Sequence, residues 1–229
     1  IQTTEHGTHA VLWGSAATTG DVLAAARLFH QPEGLPAPAT TPGPQPEILL
    51  VCTHGRKDVC CAIRGRPLAA QAARRWPEAT WECTHTGGDR FAGNIILLPE
   101  GACYGGLDPD DIEPLIDAHL AGAVDTTHLR GPSGLPKHVQ AAMVDAYARF
   151  TPLPFAAVQP IRHTGGPEGW DVLLTVDGVG KVEVSGHTTM SDAEYLTCKA
   201  TLPQPMAVPI VDTVEITGPA LGDSAETLI

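Results

Sequence analysis

Residues 48–76 read ILLVCTHGRKDVCCAIRGRPLAAQAARRW. The apolar run at 48–52 has the length and continuity of a buried strand. It delivers Cys52 into a loop, and 66–76 is predicted helical, with Pro67 near the first turn. Three thiols, Cys52, Cys60 and Cys61, therefore stand at a strand-to-helix passage. Eight residues separate Cys52 from Cys61, too many for a zinc knuckle of the C-x2-C kind. A loop turning back from strand to helix brings the two thiols to one point, and Gly55 and Gly65 are expected to give its backbone the freedom to return. Arg56, Lys57 and Arg64 put positive charge beside the thiols, which favours thiolates and offsets the charge of a bound anionic group.

The next segment, WECTHTGGDRFAGN at 81–94, adds Cys83, His85 and Asp89. Four of the six cysteines thus fall between 52 and 83, close to an imidazole and a carboxylate. Mixed sulfur and nitrogen donors suit a transition metal or an iron–sulfur cluster. Gly87 and Gly88 let the backbone wrap closely, and their amides are candidate donors to cluster sulfur. Cys83 shares a strand face with His85, so either Cys83 or Asp89 can serve as a fourth ligand. Cys103 and Cys198 read as small buried hydrophobes. His54, His119, His128, His138, His163 and His187 read as structural, and Trp76 and Trp170 as core residues.

Outward from this stretch, strands are predicted at 79–83, 94–98 and 102–104, and helices at 110–120 and 136–150. The order strand, helix, three strands, helix is a thioredoxin-like layout. Before it, 21–29 is a helix candidate, and 31–47, with six prolines, reads as an extended connector. After it, 151–229 reads as mostly β, with 170–176 and 181–184 flanking the hairpin turn Asp177-Gly178-Val179-Gly180. The expected organisation is an N-terminal extension (1–47), an α/β domain (48–150) and a mostly β C-terminal segment (151–229).

Composition narrows the function. At 229 residues and 43% apolar content the chain can bury a substantial core. No apolar run reaches 18 residues, so no membrane partner is expected. A formal charge of −12 repels nucleic acid and suits a protein partner with a basic docking face. Clustered thiols, including a vicinal pair, argue against a disulfide framework and for a reducing cytoplasm. No leader segment is visible at the start. Walker, dinucleotide-binding and G-x-S-x-G motifs are missing. The acidic residues Asp108, Asp110, Asp111, Glu113 and Asp117 read as a solvated face or docking patch, not as paired glycosidase carboxylates.

Four blocks, CTHGRKDVCCA (52–62), ECTHTGGDRFAGN (82–94), LPEGACYGGL (98–107) and LRGPSGLPKHVQAA (129–142), resemble the sucrase/ferredoxin-like family. The resemblance implies a thioredoxin-like ferredoxin fold holding one [2Fe-2S] cluster on two cysteines and an H-x-x-x-H pair. Cys52, Cys61 and His85 match three of those positions, and Asp89 stands at the fourth. A site with one imidazole would fall between Rieske centres, at roughly −150 to +300 mV, and all-cysteine plant-type ferredoxins near about −400 mV. The implied function is a one-electron carrier between a reductase and an acceptor enzyme. The alternatives are a thiol redox enzyme using Cys60 or Cys61, a zinc-binding structural module and a cluster-based sensor.

Overall fold

The computed structural model describes residues 2–3, 9–10, 16–28, 48–166 and 169–219. Near the start, β1 (Gln2–Thr3) and β2 (His9–Ala10) pair antiparallel, and α1 spans Thr19–Leu28. Thr18 and Asp21 cap α1 reciprocally: Asp21 N–H donates to Thr18 Oγ1, and Thr18 N–H to the Asp21 carboxylate (2.8 Å). The predicted helix at 21–29 thus forms up to Leu28. Phe29 and the proline-rich stretch 31–47 lie outside the described residues.

The body begins with β3 (Ile48–Cys52), α2 (Val59–Arg75) and β4 (Thr80–Cys83), with β3 and β4 parallel. Then follow β5 (Ile95–Leu98), β6 (Ala102–Tyr104), α3 (Ile112–Leu120), β7 (Leu129–Pro132) and α4 (Lys137–Phe150). The sheet order is β4-β3-β5-β6-β7, antiparallel beyond the β3–β4 pair. Leu49, Val51, Ile95, Leu97, Ala102 and Tyr104 point to one face and are buried with side chains of α2, α3 and α4. The other face is only half-buried at Leu50, Ile96 and Cys103. The unbroken apolar run of β3 therefore marks one fully covered face, not two.

Two local readings change. Helix α2 starts at Val59 rather than at Arg66, because Asp58 caps it: its Oδ1 accepts the Cys60 N–H at 3.1 Å. Pro67 consequently sits inside the helix and supplies no N–H for the Ile63 carbonyl. Gly65 also belongs to α2, so it gives no freedom to the loop. Its role is close approach: a Cβ there would lie 2.0 Å from the Cys52 carbonyl oxygen. Strand β7, unforeseen from LRGP, contains Gly131 and Pro132. It lies at the sheet edge, where proline is tolerated. Gly131, at φ 93°, admits α4 at a distance a side chain would block.

The C-terminal residues form a second sheet: β8 (Val158–Gly165), β9 (Trp170–Val176), β10 (Gly180–Met190) and β11 (Ala207–Gly218), an antiparallel meander ordered β11-β10-β9-β8. Helix α4 packs against β7 on one side and the meander on the other. Its residues Val139, Ala142, Met143, Ala146 and Tyr147 join both halves into one contiguous core. The molecule is a mixed α/β structure. Among the described residues, no helix is long and apolar enough to cross a membrane.

Candidate metal centre

A parallel β-α-β unit places the carboxyl ends of both strands beside the amino end of the helix. Here three of the predicted ligands meet at that convergence. Cys52 is the last residue of β3, Cys61 lies in the first turn of α2, and His85 follows β4 directly. The two Sγ atoms and an imidazole nitrogen of His85 all lie within 4.8 Å of one another. Both thiols are 1% exposed, and Ala92 packs against them. His85 is half-buried, with Nδ1 shielded from solvent. The backbone is tied down around them: Cys52 N–H donates to Asn94 O (3.0 Å), and Asn94 Nδ2 to Gly88 O (3.0 Å).

The other predicted residues divide. Cys83 is the register partner of Cys52 in the β3–β4 pair, but it stands outside the close group. Burial, then the neighbouring Cys52, pushes its thiol up to about 11. Burial likewise raises Cys103 to about 11. Neither thiol is placed for nucleophilic chemistry. Asp89 opens a short 3-10 turn, and its side chain lies outside the described residues. Gly87 and Gly88 have φ of 89° and 72°, two successive left-handed positions that favour glycine. Arg56, Lys57 and Arg64 are exposed. Arg64 donates to Ala92 O (3.4 Å) and pairs with Asp108 (3.8 Å).

The vicinal cysteines face different ways, since consecutive helical residues point about 100° apart. Cys61 turns inward to Cys52. Cys60 forms a disulfide with Cys198, their Cα atoms 6.1 Å apart. This overturns the reading of Cys198 as a small buried hydrophobe, for it is exposed and cross-linked. The pairing spans 138 positions, and no local pattern announces it. Asp58, also missed, is fully buried and joins the same corner: Oδ1 caps α2, and Oδ2 accepts the Cys198 N–H at 2.8 Å. Its signal was available, as a capping residue directly before VCC.

Among the described residues, five other histidines have partners outside the site, and His138 Nε2 lies 3.3 Å from His163 Nδ1. His119 hydrogen-bonds the Tyr104 hydroxyl (2.7 Å), His128 pairs with Asp125, and His187 with Asp212. Trp76 and Trp170 are core residues, 4% and 2% exposed. The acidic face is partly neutralised within the molecule. Arg75 of α2 pairs with Asp117 (2.7 Å) and Glu113 (3.4 Å), and Gln71 donates to Glu113 (2.7 Å).

Two buried thiols and a shielded imidazole nitrogen fit a soft or borderline metal centre better than calcium or magnesium, which take oxygen donors. The model of the family described as sucrase/ferredoxin-like matches residues 6–131, so the chain belongs to that family. Altered inheritance of mitochondria protein 32 of Meyerozyma guilliermondii is 30% identical over 88 residues, 34% of this chain and 31% of that protein. The chain thus spans about a third of that relative's length. No solved structure matches the chain.

Proposed function

We propose that this member of the sucrase/ferredoxin-like family holds one [2Fe-2S] cluster and passes single electrons between a reductase and an acceptor enzyme. The observation that carries the reading is the convergence of Cys52, Cys61 and His85 at the carboxyl end of a parallel β-α-β unit. We read that unit, with β5 and β6 beside it, as a thioredoxin-like ferredoxin fold. The fourth ligand is Asp89 or Cys83. A bound cluster would supply one-electron chemistry at a potential raised by imidazole ligation.

The chain's own residues supply the rest. Cys52 and Cys61, almost wholly buried, bind away from water, while half-buried His85 marks the side nearest solvent. The left-handed pair Gly87 and Gly88 carries the chain past the site and leaves amides near the ligand loop. The partner would be a protein with a basic docking face, drawn by the net charge of −12.

The test is visible absorption and low-temperature EPR of anaerobically purified protein, before and after dithionite, with iron and sulfide counts. About two irons per chain and a rhombic reduced signal are expected. A colourless protein that takes up zinc and cannot be reconstituted with iron would replace this reading with a structural zinc site.

A further inference from the structure

The connection between β10 and β11, residues 191–206, is an arm laid across both ligand loops. On the first loop it is fastened by the Cys60–Cys198 disulfide, by Cys198 N–H to Asp58 Oδ2 (2.8 Å) and by Lys199 Nζ to Arg56 O (2.9 Å). On the second, Glu194 pairs with Arg90 (3.6 Å), and Arg90 donates to Met206 Sδ. Apart from a bridge between Glu194 and Gln204, the arm has no sheet of its own. Cys60 is half-buried, whereas Cys198 is exposed. Both border a cleft of about 610 Å³, lined also by Arg64, Arg90 and Tyr195.

From this arrangement we infer that Cys60 and Cys198 are a reversible thiol–disulfide exchange site whose state sets whether the arm is clasped over the candidate metal centre. The cleft has room for a small thiol, and attack is assigned to the sulfur of Cys198, the more exposed of the two residues. The thiolate of a small thiol attacks that sulfur, the Cys60–Cys198 bond breaks, and Cys60 leaves as a thiolate. A second small thiolate attacks the mixed disulfide and releases Cys198. The protein disulfide plus two small thiols thus become a protein dithiol plus one small disulfide, a transfer of two electrons and two protons. Reduction leaves the arm on hydrogen bonds and one exposed ion pair, which hold weakly. Asp58, which accepts hydrogen bonds from the backbone of both cysteines, aligns them for the bond to re-form when the arm closes.

The consequence for the metal centre rests on the function proposed above; the exchange site does not. The full-length chain is equilibrated in glutathione buffers from oxidising to reducing, acid-quenched, alkylated and mapped by mass spectrometry. The expected result is one two-electron transition, in which a Cys60–Cys198 cross-linked peptide disappears while Cys103 alkylates throughout. Tryptic cleavage after Lys199 should then run about tenfold faster in reduced chain and in Cys198→Ser than in oxidised chain, as an opened segment allows. Cys60 and Cys198 alkylating separately in every buffer would overturn the inference, and so would a cross-link whose loss leaves cleavage at Lys199 unchanged. Should Cys198→Ser not fold, reductant on the native chain gives the same reading. Neither readout needs metal, so a chain that never takes up iron refutes the cluster and leaves this site standing. In chain that does, iron loss to a chelator should quicken on reduction.

Discussion

Along β9, burial alternates residue by residue from Trp170 to Val176, and every buried position is apolar. At the carboxyl end of β3, the buried residues include two thiols, a threonine and an aspartate. The inner face of the meander buries apolar side chains. The β-α-β end buries polar and sulfur groups, which costs stability unless each is bonded or ligated. Stability and chemistry are thus assigned to separate clusters, the large core that α4 joins and the small one of Cys52, Cys61 and Ala92, with the 191–206 arm reaching back across.

Replacing ligands tests that division most severely. Cys52→Ser or Cys61→Ser should lose bound iron completely, while far-UV circular dichroism stays that of the parent. Cys103→Ser should keep the full iron content. Of Cys83→Ser and Asp89→Ala, only the one that removes the fourth ligand should shift the visible spectrum strongly. Equal iron in all five variants would refute the assignment. At the other end, Trp170→Ala should cost roughly 3–5 kcal/mol in urea unfolding, as large aromatic truncations do. Trp170 is 2% exposed, donates to His187 O at 3.1 Å and rests on Gly186, where any Cβ would strike its ring. Iron per folded chain should not change. A parallel fall in iron would show that the meander and the centre are one unit.

The same contrast governs how much the sequence revealed. Elements with an apolar run or a periodic apolar face were legible: β3, β6, β9, α3 and α4 lie at or close to their expected positions. So was the grouping of Cys52, Cys61 and His85, because all three sit in short segments around one strand-helix-strand passage. What was illegible depended on distant contacts or on turn chemistry. Strand β7 was hidden by Gly131 and Pro132, which are tolerated only because the strand is an edge. The start of α2 was hidden because its first turn is VCC, which carries no apolar periodicity, and only the Asp58 cap marks it. The Cys60–Cys198 pairing joins residues 138 positions apart, a distance over which spacing carries no information.

Two histidines divide along the same line. His85 borders the candidate centre, whereas His119 is 8% exposed, between Tyr104 and Phe155. Burial pulls His119 down to about 4 from its ordinary 6.5. Between those values the unfolded chain binds a proton that the folded chain refuses. Stability should therefore fall as pH drops from 6.5 towards 4, by on the order of 3 kcal/mol from this residue. Subtracting the profile of His119→Gln from that of the parent isolates the contribution. An identical slope in both would mean that His119 is solvated. The loss should appear equally in metal-free chain, because His119 is not one of the grouped ligands.

Gly65→Ala brings the comparison down to one methyl group. The added carbon would stand 2.0 Å from the Cys52 carbonyl oxygen, a backbone atom that cannot swing aside. Helix α2 must then move off β3, at roughly 1–3 kcal/mol, as overpacking costs elsewhere. Cys52 is on the strand and Cys61 on the helix, so the separation that relieves the clash also spreads the ligands. Iron affinity should fall more than global stability. The control is Gly186→Ala, which meets Trp170 and the Ile210 carbonyl with similar severity but touches no ligand. It should lower urea stability and leave iron affinity unchanged. If both variants weaken iron binding in proportion to lost stability, the centre responds only to how well the protein is folded. A selective loss in Gly65→Ala would show that the distance between α2 and β3 sets the metal site.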